Sequence, residues 1–218
     1  MPEPEYQRQV AAFVREQLPP PPASVLEVGC GEGALARELA GAGYDVVAID
    51  PEAPKGPPFR AVKLEDFEGP GPFDAVVASL SLHHIEDLAS AVEKIASLLE
   101  PGRPLILNEW DRERFQGTTA QWYFHQRQAL AALGRDDADI EPTFEEWWPG
   151  WHERRSDVHP YAAMRPELDR RFSELLFEWV PYLYGYRLGG ELEPLERALI
   201  ESGEIDAVGF RYVGERTG

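Results

Sequence analysis

The chain has 218 residues and a formal charge of −18, from 21 basic and 39 acidic side chains, with 43% apolar and 11% aromatic residues. That apolar share is ample for a packed core and excludes wholesale disorder, while the acidic balance argues against a nucleic-acid binder, which needs a cationic face. One cysteine, Cys30, excludes an internal disulfide framework and fits a reducing compartment. The sequence lacks a bilayer-length apolar run, and its first residues lack a basic-then-apolar pattern, so a cytoplasmic protein with no membrane partner is expected.

Residues 4–17 set Tyr6, Val10, Phe13 and Val14 at helical spacing, and four prolines at 19–22 end that helix. Residues 24–28 read as a buried strand running into Gly29, residues 33–40 as a helix stopped by Gly41 and Gly43, and residues 44–49 as a second strand closed by Asp50 and Pro51. A weaker third strand is predicted over 59–64 and a fourth over 73–78. Leu88, Val92, Ile95 and Leu99 share one helical face before Pro101 and Gly102, and a fifth strand covers 104–108. Nearly unbroken apolar strands alternating with helices imply a parallel sheet covered on both faces.

Beyond Glu109 the pattern changes. A helix is expected over 118–133, then an acidic loop with Asp136, Asp137, Asp139 and Glu141. Thr143 opens a capping box for a short Trp-rich helix, and Pro166 suits the first position of a helix through Phe172. Residues 175–188 read as a long strand in which Pro181 marks an edge or a bulge. A helix near 192–202 and a last strand over 207–213 complete the chain. Five of the six tryptophans (Trp110, Trp122, Trp147, Trp148 and Trp151) fall between 110 and 151, with Trp179 outside, which marks that segment as specialised.

The densest motif is the run from Val25 to Gly33, V-L-E-V-G-C-G-E-G. A strand that ends in glycines and opens a helix brings a ligand close to backbone N–H groups. Read permissively, Gly29, Gly31 and Ala34 also satisfy a dinucleotide fingerprint, which keeps an NAD-dependent oxidoreductase as an alternative. Glu27 separates the two readings. A carboxylate there disfavours a pyrophosphate and suits a ligand that carries an ammonium or sulfonium. Asp50, at the end of the next strand, is placed to accept both hydroxyls of a ribose in either cofactor.

This segment resembles motif I of the class I S-adenosylmethionine-dependent methyltransferases. V-V-A-I-D ending at Asp50 resembles their second-strand acidic motif, L-E-D-F from Leu64 to Phe67 their acidic loop, and F-D-A-V-V-A-S-L-S-L-H-H-I-E-D from Phe73 to Asp87 motif IV of the small-molecule type. L-L-E-P-G-R-P-L-I-L from Leu98 matches their helix, Pro-Gly turn and fifth strand, so the ordered likeness covers residues 24–109. The resemblance implies a Rossmann-like three-layer α/β sandwich with a mostly parallel seven-stranded sheet, an antiparallel last strand and an inserted helical cap. It implies one methyltransferase domain, with an N-terminal helix and linker at 1–23, a cofactor core at 24–109, a variable cap at 110–172 and C-terminal strands and helix at 173–218.

The resemblance also implies roles. Glu27, Gly29, Cys30 and Gly31 surround the methionine part of S-adenosylmethionine, and Asp50 binds the ribose. Asp66 meets the adenine amino group, the Phe67 backbone meets a ring nitrogen, and Ser79 and Leu80 offer carbonyls to the ammonium. S-adenosylhomocysteine is the implied product. His83 and His84 follow the fourth strand, where a neutral imidazole takes a proton from a hydroxyl or amine acceptor, with His84 ahead of His83. His83, His84, Glu86, Asp87, His152, Glu153 and His159 lack a recognisable ligand spacing, so no metal is assigned. The expected partner is a small-molecule acceptor, apolar or aromatic, walled by the Trp segment. An interface role for that segment, an undetermined oligomeric state and a non-catalytic cofactor-binding scaffold stay open.

Overall fold

A computed structural model describes residues 4–135 and 140–218; Asp136, Asp137 and Asp139 of the expected acidic loop lie outside the described residues. Helix α1 (Pro4–Gln17) buries Tyr6, Val10, Ala11, Phe13 and Val14. Then follow β1 (Ser24–Val28), α2 (Ala34–Gly41), β2 (Asp45–Asp50), β3 (Phe59–Ala61), β4 (Ala75–Ser79), α3 (Leu88–Ser97) and β5 (Pro104–Trp110). The second half carries α4 (Gly117–Ala132), α5 (Phe144–Glu153), α6 (Tyr161–Asp169), β6 (Phe172–Val180), α7 (Glu193–Glu201) and β7 (Gly209–Arg216).

The strands form one seven-stranded sheet in the order β3-β2-β1-β4-β5-β7-β6. β1 to β5 pair in parallel, and β7 runs antiparallel to both β5 and β6. The chain winds outward from β1 through β2 to β3, then returns to β4 on the other side. A crevice therefore opens at the carboxyl ends of β1 and β4, where such sheets bind ligands. Side chains alternate across the sheet. Val25 and Ala75 join the core packed by α1, α2, α4 and α5, whereas Leu26 and Val76 join the core packed by α3 and α6.

Most helix ends follow their sequence signals. The Asp87 carboxylate caps α3 by accepting the Ser90 N–H at 3.0 Å, and Thr143 caps α5 through the Glu146 N–H at 3.3 Å. No described helix is long and apolar enough to cross a membrane.

Three expectations change. The third strand is three residues, Phe59–Ala61, because it pairs only with β2 at the sheet edge and then turns at Leu64 to Phe67. The helix expected to begin at Pro166 begins at Tyr161, with Pro166 inside it; Met164 and Leu168, one turn apart, then both reach the core. The strand expected over 175–188 begins at Phe172 and stops at Val180. Pro181 has no N–H to continue the ladder, and the buried Glu196 carboxylate then draws the chain off the sheet. Its two oxygens accept the N–H groups of Tyr182, Leu183 and Tyr184 at 2.8, 2.9 and 2.7 Å. Pro181 thus follows an edge strand, and β6 also carries a register shift between Glu174 and Leu176.

Glu196 makes a direct stability prediction. Glu196→Leu leaves three N–H groups without an acceptor in a dry site, so urea denaturation should show a loss of about 3 kcal/mol or more. Glu196→Gln, which keeps one acceptor oxygen, should lose less.

Candidate functional site

Two cavities occupy the crevice, and Leu80 lines both. The first, about 580 Å³, lies between α1 and the glycine turn after β1. Its wall includes Tyr6, Glu27, Cys30, Gly31, Ser79 and Leu80. The second, about 440 Å³, lies between the histidine pair and the cap, with Trp110, Phe115, Trp151, Tyr182 and Tyr186 among its walls.

The glycine turn sits tightly under the loop that follows β4. Gly29 has φ +74°, and a Cβ there would stand 2.2 Å from the Ser81 Cβ, so this position needs glycine on both counts. Ser81 in turn donates its hydroxyl to the Val28 carbonyl at 2.7 Å. Next to it, Leu80 adopts φ +53°, a left-handed backbone that non-glycine residues seldom take. Its N–H donates to the Asn108 carbonyl at 2.8 Å, which keeps that conformation in place.

Glu27 is 3% exposed, and its Oε2 has no partner. Burial pushes its carboxyl up to about 8; the Ala36 backbone N–H opposes that shift and the Asp50 charge adds to it. Cys30 lies beside it, and burial with these two acids pushes its thiol up to about 12, which removes it as a nucleophile near neutral pH. Asp50 stands at the end of β2, where Oδ2 accepts the Gly31 N–H at 3.0 Å and Oδ1 accepts the Glu52 N–H at 2.8 Å.

The structure thus gathers Glu27, Gly29, Cys30, Gly31, Ser79 and Leu80 around one cavity, with Asp50 joined to it through Gly31. Asp66 and Phe67 do not line that cavity. Asp66 is exposed, the Phe67 ring is buried in the core, and the Phe67 N–H donates to the Leu64 carbonyl at 3.2 Å in a turn.

The two histidines differ. His83 is 3% exposed, with Nδ1 against Glu109 Oε2 and Nε2 at 3.3 Å from Trp110 Nε1. An indole N–H can only donate, so His83 Nε2 receives it and Nδ1 carries the hydrogen toward Glu109. Glu109 Oε1 meanwhile accepts the N–H groups of Ser81 and Leu82 at 2.9 and 2.7 Å. Both nitrogens of His83 are therefore engaged. The His84 ring lies against it, tilted by 46° with centroids 4.1 Å apart, and both histidines line the aromatic cavity. Burial first, and His83 second, lower the His84 imidazole below the ordinary histidine value, against Glu109 and Asp157. Among the described residues no three His, Cys, Asp or Glu side chains gather as a metal site.

Several participants are not expected from sequence. Asn108, inside β5, donates from Nδ2 to the Tyr6 hydroxyl at 3.0 Å and to Ser79 Oγ at 3.1 Å, which ties α1 to the cavity floor. Polar Asn108 and Glu109 at the end of an otherwise apolar strand are the sequence signal for this. Tyr6 reads as a core residue of an amphipathic helix, and Tyr182 and Tyr186 read as strand residues, so nothing in their pattern marks them.

The sequence matches a family model described as a methyltransferase domain over residues 3–174. It is similar to the ubiquinone biosynthesis O-methyltransferase of Xanthomonas campestris pv. campestris, 36% identical over 115 residues that cover 46% of this chain and 48% of that protein. The chain therefore spans about half the length of the first of its curated relatives. It is also similar to an uncharacterized methyltransferase of Mycobacterium tuberculosis, 30% identical over 173 residues, 71% of this chain and 85% of that protein. The fold is similar to that of N-methyltransferase NodS from Bradyrhizobium japonicum in complex with S-adenosylhomocysteine, with TM-score 0.58, 14% identity, and coverage of 99% of this chain and 89% of that one.

A Rossmann-like sheet with a glycine turn and paired acids at its switch point defines a class I methyltransferase fold. This chain belongs to the methyltransferase-domain family. The first cavity fits the cationic methyl donor that the sequence resemblance implies: the buried Glu27 lines it with one oxygen unpartnered among the described residues, and Asp50 adjoins it through Gly31.

Glu27 predicts a pH effect in the ligand-free protein. Its folded value is raised, so its contribution is fully present below the unfolded value near 4.5 and is lost as pH rises through about 8. Thermal melts of wild type and Glu27→Gln from pH 4 to pH 9 (roughly that window) should diverge in that interval, with the variant gaining relative stability as pH rises. Parallel curves would show that Glu27 is not held in this way.

Proposed function

We propose that the protein transfers the methyl group of S-adenosylmethionine to a small aromatic acceptor bound between His84 and the cap. The observation that carries this reading is the junction at Leu80, where a cavity lined by the buried Glu27 carboxylate, one oxygen of which has no partner among the described residues, meets one walled by aromatic rings and the histidine pair.

When bound, S-adenosylmethionine supplies a methyl group activated by its sulfonium. Glu27 and the carbonyls at Ser79 and Leu80 would hold the positively charged methionine end, and Asp50 would accept the ribose hydroxyls beside Gly31. Asp66 and the Phe67 backbone keep their proposed roles at the adenine on resemblance alone. The protein's main task is alignment and exclusion of water, because the donor already carries a good leaving group. Trp110 and Trp151, 6% and 5% exposed, build a dry wall for that purpose.

A hydroxyl or amine acceptor must lose its proton as the new bond forms. His84 would take that proton, since its lowered value keeps a lone pair available at neutral pH. His83 would not reach the acceptor with a free nitrogen; it orients its neighbour through Glu109 and Trp110. An NAD-dependent reading is disfavoured by the unpaired Glu27 oxygen, which would face a pyrophosphate. A scaffold reading is disfavoured by the open space beside Leu80.

Calorimetry should detect binding of S-adenosylmethionine or S-adenosylhomocysteine, and no binding at millimolar ligand (about the weakest affinity of use) would overturn the reading. Asp50→Ala should weaken that binding by about 1–3 kcal/mol, because ribose hydroxyls lose their acceptor. With a hydroxyl or amine acceptor, His84→Gln should lower kcat on the order of 10²-fold or more. Donor affinity should stay unchanged, and the wild-type rate should fall only on the acid side of the ordinary histidine range. An unaltered kcat would remove His84 from the chemistry.

A further inference from the structure

The aromatic cavity has a charged end that the methyl-transfer reading does not use. Arg154 and Arg155 line it where α5 gives way to the following loop, in the same cavity as Leu80 and the histidines. Arg155 is fixed in place. Its guanidinium carbon lies 4.3 Å from the Trp151 ring centroid and 5.8 Å from that of Tyr186, and it donates to the Tyr186 hydroxyl and, at 3.4 Å, to the Trp151 carbonyl. Arg154 differs: it is exposed and makes no ion pair among the described residues. Asp157 lines the same end, so two guanidiniums face one carboxylate.

That local excess of positive charge stands in a chain of net charge −18. Several surface arginines meet carboxylates (Arg165 with Asp169 and Glu174, Arg114 with Asp206, Arg197 with Glu193), whereas Arg154 stands without one on the wall of an aromatic cavity. A guanidinium left without a carboxylate at the mouth of an aromatic cavity is arranged for a ligand that brings its own anion. Aromatic walls at the centre bind a flat apolar body and leave the polar groups to set its direction.

We propose that the acceptor is a small planar aromatic acid. Its ring packs among Trp110, Trp151 and Tyr182, its carboxylate reaches Arg154 with Arg155 behind it, and its reactive heteroatom points toward His84 and Leu80. The inference rests on the reading of this cavity as the acceptor site. The carboxylate then fixes which ring position is methylated.

Isothermal titration of the protein saturated with S-adenosylhomocysteine tests this with two probes of the same shape, 2-naphthoate and its neutral carboxamide, 2-naphthamide. The wild type should bind the acid about tenfold or more tightly than the amide, as a charge-assisted contact requires. Arg154→Met, which keeps the aliphatic stem, should bring the ratio close to one while leaving amide and S-adenosylhomocysteine affinities unchanged. The S-adenosylhomocysteine affinity also reports that the variant is folded. Equal binding of acid and amide to the wild type, or a ratio that persists in Arg154→Met and in Arg154→Met/Arg155→Met, would overturn the anion inference and leave an aromatic acceptor standing. Binding of neither probe, with S-adenosylhomocysteine bound, would overturn both.

Discussion

One buried carboxylate, Glu109, holds the junction on which both cavities depend. Its Oε1 gathers the N–H groups of Ser81 and Leu82, and its Oε2 meets His83, so the loop after β4 is fastened to the end of β5. Three consequences follow. Ser81 is pressed against Gly29, which shapes the turn beneath the donor cavity. Leu80, one residue back, is held in a left-handed backbone between the cavities. Both histidines line the aromatic cavity, but His83 has its ring nitrogens engaged by Glu109 and Trp110, which leaves His84 as the less committed of the pair. A carboxylate buried this deeply would be costly alone; here it is satisfied by two backbone donors and an imidazole.

Comparison of the buried acids makes Glu27 stand out. Glu109 and Glu196 are each 0% exposed, and each has its oxygens filled by donors from a nearby loop. Their task is to set backbone. Glu27 is 3% exposed, lines a cavity, and has one oxygen without a partner among the described residues. The same side chain at similar depth, differing in completeness of its hydrogen bonding, separates two acids that set backbone from one that is free to meet a cation, as the proposed function requires.

The first 110 residues were legible because their signals are local. Apolar runs broken by glycine, and acids at strand ends, report strand and helix without reference to the rest of the chain. Glu27, Gly29 and Asp50 could be placed on that basis. The second half was less legible because distant groups decide it. The strand after Phe172 ends where Glu196, far along the chain, captures three N–H groups, and no pattern in residues 175–188 reports that. The start of α6 is likewise set by which register brings Met164 and Leu168 to the sheet, and Pro166 tolerates an interior helical position on the exposed side. The His pair is visible in the sequence with His84 only slightly ahead; the Trp110 N–H and the Glu109 carboxylate, both at the end of β5, separate the two by engaging His83.

The charge distribution joins these pieces. The cavity beneath α1 is lined by Glu27, Glu32 and Glu38 against Arg8 and Arg37, with Asp50 adjoining through Gly31, while the aromatic cavity carries Arg154 and Arg155 against Asp157. Between them lie Leu80 and a ring of aromatic side chains that exclude water. Methyl transfer from a sulfonium to an electron-rich atom cancels the donor's positive charge. A dry centre favours that step, because little solvation holds the charge in its starting place. Opposite net charges on the two cavities would then suit the cationic donor and the anionic acceptor proposed above. The net charge of the chain conceals this arrangement; it emerges only when each charge is assigned to the cavity that it lines.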